Sequence, residues 1–123
     1  MDSRFSGRAG EEAAFADASW AALSGGVAAG VCGVPPSVVL GRNRADACQR
    51  ARRLALHLSH VGLGVSMTRC AALFGRHRAA ARRACARIED GRERLAWDCA
   101  LDRLERSLRI WRAAFSQVAE AGQ

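Results

Sequence analysis

The sequence contains no lysine and no tyrosine, so all 19 of its basic side chains are arginines. Without lysine, the GxxxxGK[ST] loop that cradles nucleotide phosphates cannot form, which excludes a P-loop ATPase. Proline is scarce, with two residues in 123, and stretches rich in β-branched residues are almost absent. Alanine, leucine and arginine, which favour helix, dominate instead. We therefore predict an all-α protein, and we expect no enzymatic activity and no cofactor.

Long apolar runs and paired cysteine motifs are also missing. No stretch approaches the roughly 20 apolar residues of a membrane span, and the polar start "MDSRFSGRAGEEAA" lacks the pattern of a secretory signal. The cysteines form no CxxC pair and lie mostly beside apolar residues, so we interpret them as small buried side chains in a reducing compartment. They are Cys32, Cys48, Cys70, Cys85 and Cys99. These features predict a cytoplasmic protein that does not enter the membrane.

The positive charge is concentrated in the middle of the chain. Residues 42–88 contain eleven arginines and one acid, a net charge of +10, whereas the flanking segments are slightly acidic. A segment with so few internal ion-pair partners favours a polyanion or open solvent as its surroundings. Five of these arginines lie in the segment "RNRADACQRARR" around a helix start, a density that suits DNA backbone contacts or insertion into a narrow minor groove.

Helix signals divide the chain into several segments. A first helix over "EEAAFADASWAALS" is expected to stop at Gly25 and Gly26, with a weaker helix before Pro35 and Pro36. Asp46 is a predicted N-cap of the next helix, with Gln49 completing a capping box. His57 and His60 lie on its predicted basic flank. No carboxylate or cysteine occupies a convincing third position near these two histidines, so we expect no metal site.

Residues 66–89 have the features of a helix-turn-helix motif. Ser66 is a predicted cap, a short apolar helix follows, and Gly75 provides the turn. In the next helix, from about residue 76 to 89, an inner face repeats at helical spacing, with Ala81, Ala84, Cys85 and Ile88. The opposite face carries arginine and alanine. Arginine can bind phosphates or guanine, and alanine is small enough to let the helix lie deep in a major groove. The alternative is an arginine-rich helix pair whose outer face is simply solvated.

A last helix is predicted from about residue 95 to 119. Its apolar residues form a heptad-like seam, which comprises Trp97, Leu101, Leu104, Leu108, Trp111, Phe115 and Val118. The last three are hard to bury in so small a core, and we interpret them as a partner surface. Three arrangements are open: packing on the N-terminal helix through Phe15 and Trp20, self-association, or docking to another protein.

The segments "VPPSVVLGRNR", "CQRARRLALHL" and "GVSMTRCAALFGRHRAAARRACARIED" together resemble the C-terminal duplex-DNA-binding domain of the bacterial replication initiator DnaA. They are similar to short stand-alone relatives of that domain in alphaproteobacteria. The resemblance covers residues 27–108 and implies a DnaA- or Trp-repressor-like helix-turn-helix. Residues 1–26 would then be an N-terminal helical extension and residues 109–123 a C-terminal helix extension.

The resemblance also implies how DNA is contacted. Phe74, Gly75 and Arg76 match the family, and Arg50 occupies the position of the arginine that enters the minor groove. His77 and Arg78, however, replace the family's Asp and His, and two alanines replace its two threonines, which implies altered or relaxed base readout. The candidate DNA contacts are Arg42, Arg44, Arg50, Arg52, Arg53, Ser66, Arg76, His77, Arg78, Ala79, Ala80, Arg82 and Arg83.

Two functions follow as expectations. The first is a nucleoid-associated regulator that binds double-stranded DNA and controls replication initiation or activates transcription. The second is a non-catalytic interaction module that modulates the replication initiator without reading DNA sequence. Candidate protein partners are DnaA itself, another replication or transcription protein, or a second copy of the chain bound through the C-terminal helix.

Overall fold

The computed structural model describes the backbone of residues 3–122 and the side chains of residues 16–122. All regular structure in this part of the chain is helical, which confirms the all-α prediction. The α-helices are α1 (Ser3–Cys32), α2 (Asp46–His57), α3 (Met67–Leu73), α4 (Arg78–Asp90) and α5 (Leu95–Ala121). None of the described helices is both long and apolar enough to span a membrane. The division into residues 1–26, 27–108 and 109–123 stays a prediction.

Helix α1 is continuous through Gly25 and Gly26, so the predicted interruption is wrong. A glycine costs a helix only about 1 kcal/mol relative to alanine, and tertiary packing overrides this cost. Ser24, Ala28 and Ala29 on the same helix are buried. The helix ends instead at Gly33, whose φ of 69° lets the Val34 amide donate to the Ala29 carbonyl, as in a Schellman cap.

Helix α2 begins at Asp46, but Ala45 occupies the N-cap position and no side chain caps it, so the predicted Asp46 cap is wrong. The preceding loop is ordered by other hydrogen bonds. The Ala45 amide donates to Asn43 Oδ1 (2.9 Å), and Gln49 Nε2 donates to the Arg44 carbonyl (2.7 Å). After His57 the helix widens into a π-helical turn, Leu58–Gly62, and Gly64, with φ of 71°, redirects the chain.

Helices α3 and α4 follow their predicted pattern. Ser66 Oγ accepts a hydrogen bond from the Arg69 amide (3.2 Å), which confirms the predicted cap. A connection over residues 74–77 contains Gly75, whose φ of 62° is in the left-handed region that favours glycine. The inner face of α4 is confirmed, since Ala81, Ala84 and Cys85 are buried. These residues fix which face of α4 remains outside.

The core lies between α2 and the helices around it, and it includes Leu54, Leu58, Phe74, Leu101 and Leu108. Three of the cysteines are buried, as expected, and burial raises the pKa of Cys70 to about 12 and that of Cys85 to about 11. Their thiols therefore stay protonated. Cys32 is only partly buried and Cys99 is exposed, so the expectation of burial is wrong for Cys99.

Helix α5 divides into a packed half and an exposed half. Leu101 and Leu108 are buried in the core. Farther along, the Phe115 ring stacks on Trp20 of α1, with centroids 5.7 Å apart, and the Arg112 guanidinium lies 5.6 Å from the Trp20 centroid. The predicted packing on the N-terminal helix is thus confirmed for Trp20, whereas the Phe15 side chain lies outside the described residues. Trp111 remains 47% exposed.

Candidate nucleic-acid interface

An open cleft of about 590 Å³ lies between the loop 39–45, α2 and α4. Among the residues with described side chains, seven arginines and no acidic residue line it. We call it the arginine cleft, and its arginines are Arg42, Arg44, Arg52, Arg53, Arg76, Arg83 and Arg87. The loop 39–45, α2, the turn before α4 and α4 itself thus bring their positive charges to one concave surface, an arrangement that attracts an extended anion.

Arg52 holds one wall of the cleft in place. Its side chain, from α2, is 8% exposed. Its guanidinium donates to the carbonyls of Val39 (3.1 Å), Val38 (3.3 Å) and Asn43 (2.7 Å). Burial, and secondarily the neighbouring charge of Arg76, lowers the pKa of Arg52 from its ordinary value. We conclude that Arg52 shapes the loop 39–45 and uses most of its donors within the protein.

Arg76 ties the same loop to the turn before α4. Its guanidinium donates to the Gly41 carbonyl (3.0 Å) and, through the other terminal nitrogen, to the carbonyls of Phe74 (3.2 Å) and Gly75 (3.1 Å). The loop is therefore anchored to α2 by one arginine and to the α3–α4 turn by another. This double attachment fixes the backbone from which Arg42 and Arg44 project.

Four exposed arginines remain available to a ligand: Arg42, Arg44, Arg83 and Arg87. In the part of the chain with described side chains, arginine forms ion pairs only at Arg69 and Arg92. Arg53, at the base, is partly buried, and its pKa is lowered by that burial and then by the charges of Arg87 and Arg50. The crowded like charges repel one another, and a bound anion would relieve this repulsion.

The structure brings about half of the predicted contacts into the cleft. Those lining it are Arg42, Arg44, Arg52, Arg53, Arg76, Ala80 and Arg83. Arg50 lines a neighbouring pocket instead, and the Ser66 hydroxyl is occupied as the α3 cap. The others lie exposed around the start of α4, outside the cleft lining; they are His77, Arg78, Ala79 and Arg82. His77 occupies the N-cap position of α4 without making a capping hydrogen bond.

Sequence reasoning left Arg87 and Gln49 out of the predicted contacts, although both line the cleft. Arg87 could have been found, because it lies four residues after Arg83 and therefore on the same face of α4. Gln49 carries no such signal, since its place depends on the fold of the loop 39–45.

The prediction that His57 belongs to a basic surface flank is wrong. The side chain is fully buried, with Nε2 3.0 Å from Glu105 Oε1 and 3.6 Å from Glu89 Oε1. One potential metal-ligand atom from each of these three residues lies within 4.8 Å of the others. The fold therefore brings carboxylates close to His57 that the sequence did not reveal as neighbours. The two carboxylates come from α4 and α5, and their approach to α2 depends on the tertiary fold.

The guanidinium of Arg92 donates hydrogen bonds to both carboxylates. Its Nε lies 2.8 Å from Glu89 Oε2, and its Nη2 contacts both oxygens of Glu105. Nη1 also contacts Asp98 at 2.9 Å. Burial alone lowers the pKa of Arg92, but the hydrogen bonds with Asp98 and Glu89 outweigh it and raise the pKa above its ordinary value. We interpret the group as an ion cluster that anchors α5 to α2 and α4.

No protein-family model matches the chain, and no curated protein or solved structure matches it.

Proposed function

We propose that the protein binds duplex DNA through the arginine cleft and the exposed start of α4, as a regulator that lacks an ATPase module. The observation that carries the proposal is the cleft itself, in which seven arginines and, within the described part of the chain, no acid line one concave surface. Each phosphate neutralised by an arginine releases condensed counterions, and this release drives binding independently of sequence. Control of replication initiation or of transcription, at the nucleoid, is part of the proposal.

Two sides of the cleft would hold the DNA backbone. Arg42 and Arg44 project from the anchored loop, and Arg83 and Arg87 project from α4. Guanidinium groups bind phosphate through two parallel hydrogen bonds when their position is fixed. Arg52 and Arg76 act mainly by fixing that position, because three of the five N–H donors of each are already bonded to carbonyls.

Helices α3 and α4 would act as a helix-turn-helix, with the start of α4 in the major groove. His77, Arg78 and Arg82 are exposed there, and Ala79 between them is small enough to allow close approach. The resemblance of this segment to the DNA-binding domain of DnaA supports the same orientation. Because the residues aligned with the family's base-reading positions differ, we propose that base recognition is altered or relaxed.

Fluorescence anisotropy with a labelled duplex tests the proposal. Arg83→Ala removes one exposed cleft arginine and should weaken binding about tenfold, the cost of one charged hydrogen-bonded contact. Arg106→Ala is the matched control, since it removes the same charge from an exposed position of α5 outside the cleft. Equal losses for the two variants, or no binding at low salt, would refute the proposal.

The exposed half of α5 favours a second candidate, the interaction module. Ile110, Trp111, Phe115 and Val118 are 60%, 47%, 50% and 71% exposed. Apolar side chains exposed together commonly mark a protein-binding surface. Sedimentation velocity of the chain alone would detect a dimer, and the same measurement with the replication initiator added would detect a complex of the two proteins. If this candidate is correct, Trp111→Ser should abolish the complex and leave duplex affinity unchanged.

A further inference from the structure

A second pocket of about 500 Å³ lies next to the arginine cleft, where the end of α1 meets α2, the end of α4 and the start of α5. Its volume is within the roughly 300–1,000 Å³ of small-molecule sites. Four arginines line it: Arg50, Arg53, Arg87 and Arg94. No acidic side chain between residues 16 and 122 does. Arg53 and Arg87 also line the arginine cleft, but the remaining lining of this pocket is largely apolar, which the proposed DNA contacts do not account for.

The apolar side of the pocket is formed by Leu54, Ile88 and Trp97. Leu54 is buried in the core, whereas Ile88 and Trp97 are partly exposed. An indole ring that is fixed at the edge of a pocket and still partly open is a surface on which a flat ring can stack. The pocket therefore combines a stacking surface with four positive charges.

Gly91 makes room for this indole. A Cβ atom built on Gly91 would lie 3.0 Å from both Cδ1 and Nε1 of Trp97, closer than side chains normally pack. The backbone of Gly91, with φ of −68° and ψ of −15°, is one that any residue adopts. What glycine provides here is therefore space for the indole, and the position of Trp97 depends on it.

We propose that this pocket binds a small aromatic anion of the nucleotide class, with its ring against Trp97 and its phosphate on Arg50 and Arg94. An inorganic anion would leave the apolar side unused, and a neutral aromatic ligand would leave the arginines without a partner. Duplex DNA also matches poorly, because its bases are stacked inside the helix. The two sites share Arg53 and Arg87, but this proposal does not rest on DNA binding, because Arg50, Arg94 and Trp97 do not line the arginine cleft.

Isothermal titration calorimetry with ADP as the probe tests the proposal. Pyrophosphate and adenosine, which represent the phosphate part and the nucleoside part of ADP, are titrated for comparison. ADP should bind about tenfold more tightly than either half, because base stacking and phosphate pairing each contribute about this factor. Affinity for pyrophosphate equal to that for ADP would show a nonspecific anion site and overturn the proposal. No measurable binding of ADP would overturn it as well.

Two variants locate the binding. Arg94 is exposed and makes no capping hydrogen bond at the start of α5, so Arg94→Ala should leave the fold intact and weaken ADP binding about tenfold. Arg106→Ala is again the charge-matched control and should change ADP affinity less than about twofold. Equal losses for the two variants would overturn the proposal.

Gly91→Ala tests the stacking surface. The added methyl group should displace the indole and weaken ADP binding, while the affinity for pyrophosphate should change little. Gly30→Ala is the control, because Gly30 is an exposed helical residue and a Cβ atom added there would meet nothing within 4 Å. Thermal melting monitored by circular dichroism verifies that each variant is folded. A folded Gly91→Ala variant with unchanged ADP affinity would overturn the assignment of Trp97.

Discussion

Removal of the Glu105 carboxylate should strongly destabilise the fold. The Glu105 side chain is 4% exposed, and it binds both His57 of α2 and Arg92 beside α5. In Glu105→Ala, the fully buried His57 keeps only Glu89 at 3.6 Å, and Arg92 loses two contacts to carboxylate oxygens. Breaking a buried ion pair from one side costs about 3–5 kcal/mol.

We expect the lower end of that range, because the Arg92 side chain is 22% exposed and retains three other carboxylates. A loss of about 3 kcal/mol should lower the urea midpoint by roughly 1–3 M, given a slope of about 1–3 kcal/mol per molar. Glu105→Gln keeps the volume and one acceptor oxygen, so its loss of unfolding free energy should be smaller.

Urea denaturation followed by far-UV circular dichroism measures these losses. Glu120→Gln is the control, because Glu120 is exposed near the end of α5 and surface changes usually alter stability by no more than about 0.5 kcal/mol. If Glu105→Ala shifted the midpoint no more than Glu120→Gln does, α5 would not be anchored by the ion cluster.

Three further predictions concern other parts of the fold. Arg52→Ala should lower the unfolding free energy by about 2–4 kcal/mol, because three carbonyls lose a charged donor, and Arg52→Lys should recover little in the same urea assay. In native protein at mildly alkaline pH, iodoacetamide should modify Cys99 quickly and leave Cys70 and Cys85 unmodified, as mass spectrometry would detect. Gly26→Ala should raise the unfolding free energy by roughly 0.5–1 kcal/mol, since nothing lies within 4 Å of the added carbon and α1 is continuous there; a loss of stability would contradict that continuity.

Much of the helical fold could be predicted from local patterns. The inner face of α4, the Ser66 cap and the extent of α5 depend on residues that are close in sequence, and these predictions are confirmed. The continuity of α1 was missed because the adjacent glycines Gly25 and Gly26 carry a strong local signal for a break. The burial that compensates for them comes from contacts with other segments, which periodicity does not reveal.

The candidate site was only partly predictable for the same reason. The density of arginine indicated the correct region, but it could not separate Arg52 and Arg76, which hold the loop, from the exposed arginines. The carbonyls that they bind lie up to 35 residues away in sequence. His57 was misplaced because its partner Glu105 is 48 residues away. Roles set by long-range contacts became visible only in the folded chain.

The salt dependence of duplex affinity tests the central proposal most directly. A plot of the logarithm of the binding constant against that of the salt concentration has a slope of about −0.9 for each phosphate neutralised. Arg42→Ala and Arg83→Ala should each make this slope shallower by about one phosphate, and the double variant by about two, while Arg106→Ala leaves it unchanged. Identical slopes for the cleft variants, the control and the unaltered protein would contradict DNA binding in the arginine cleft.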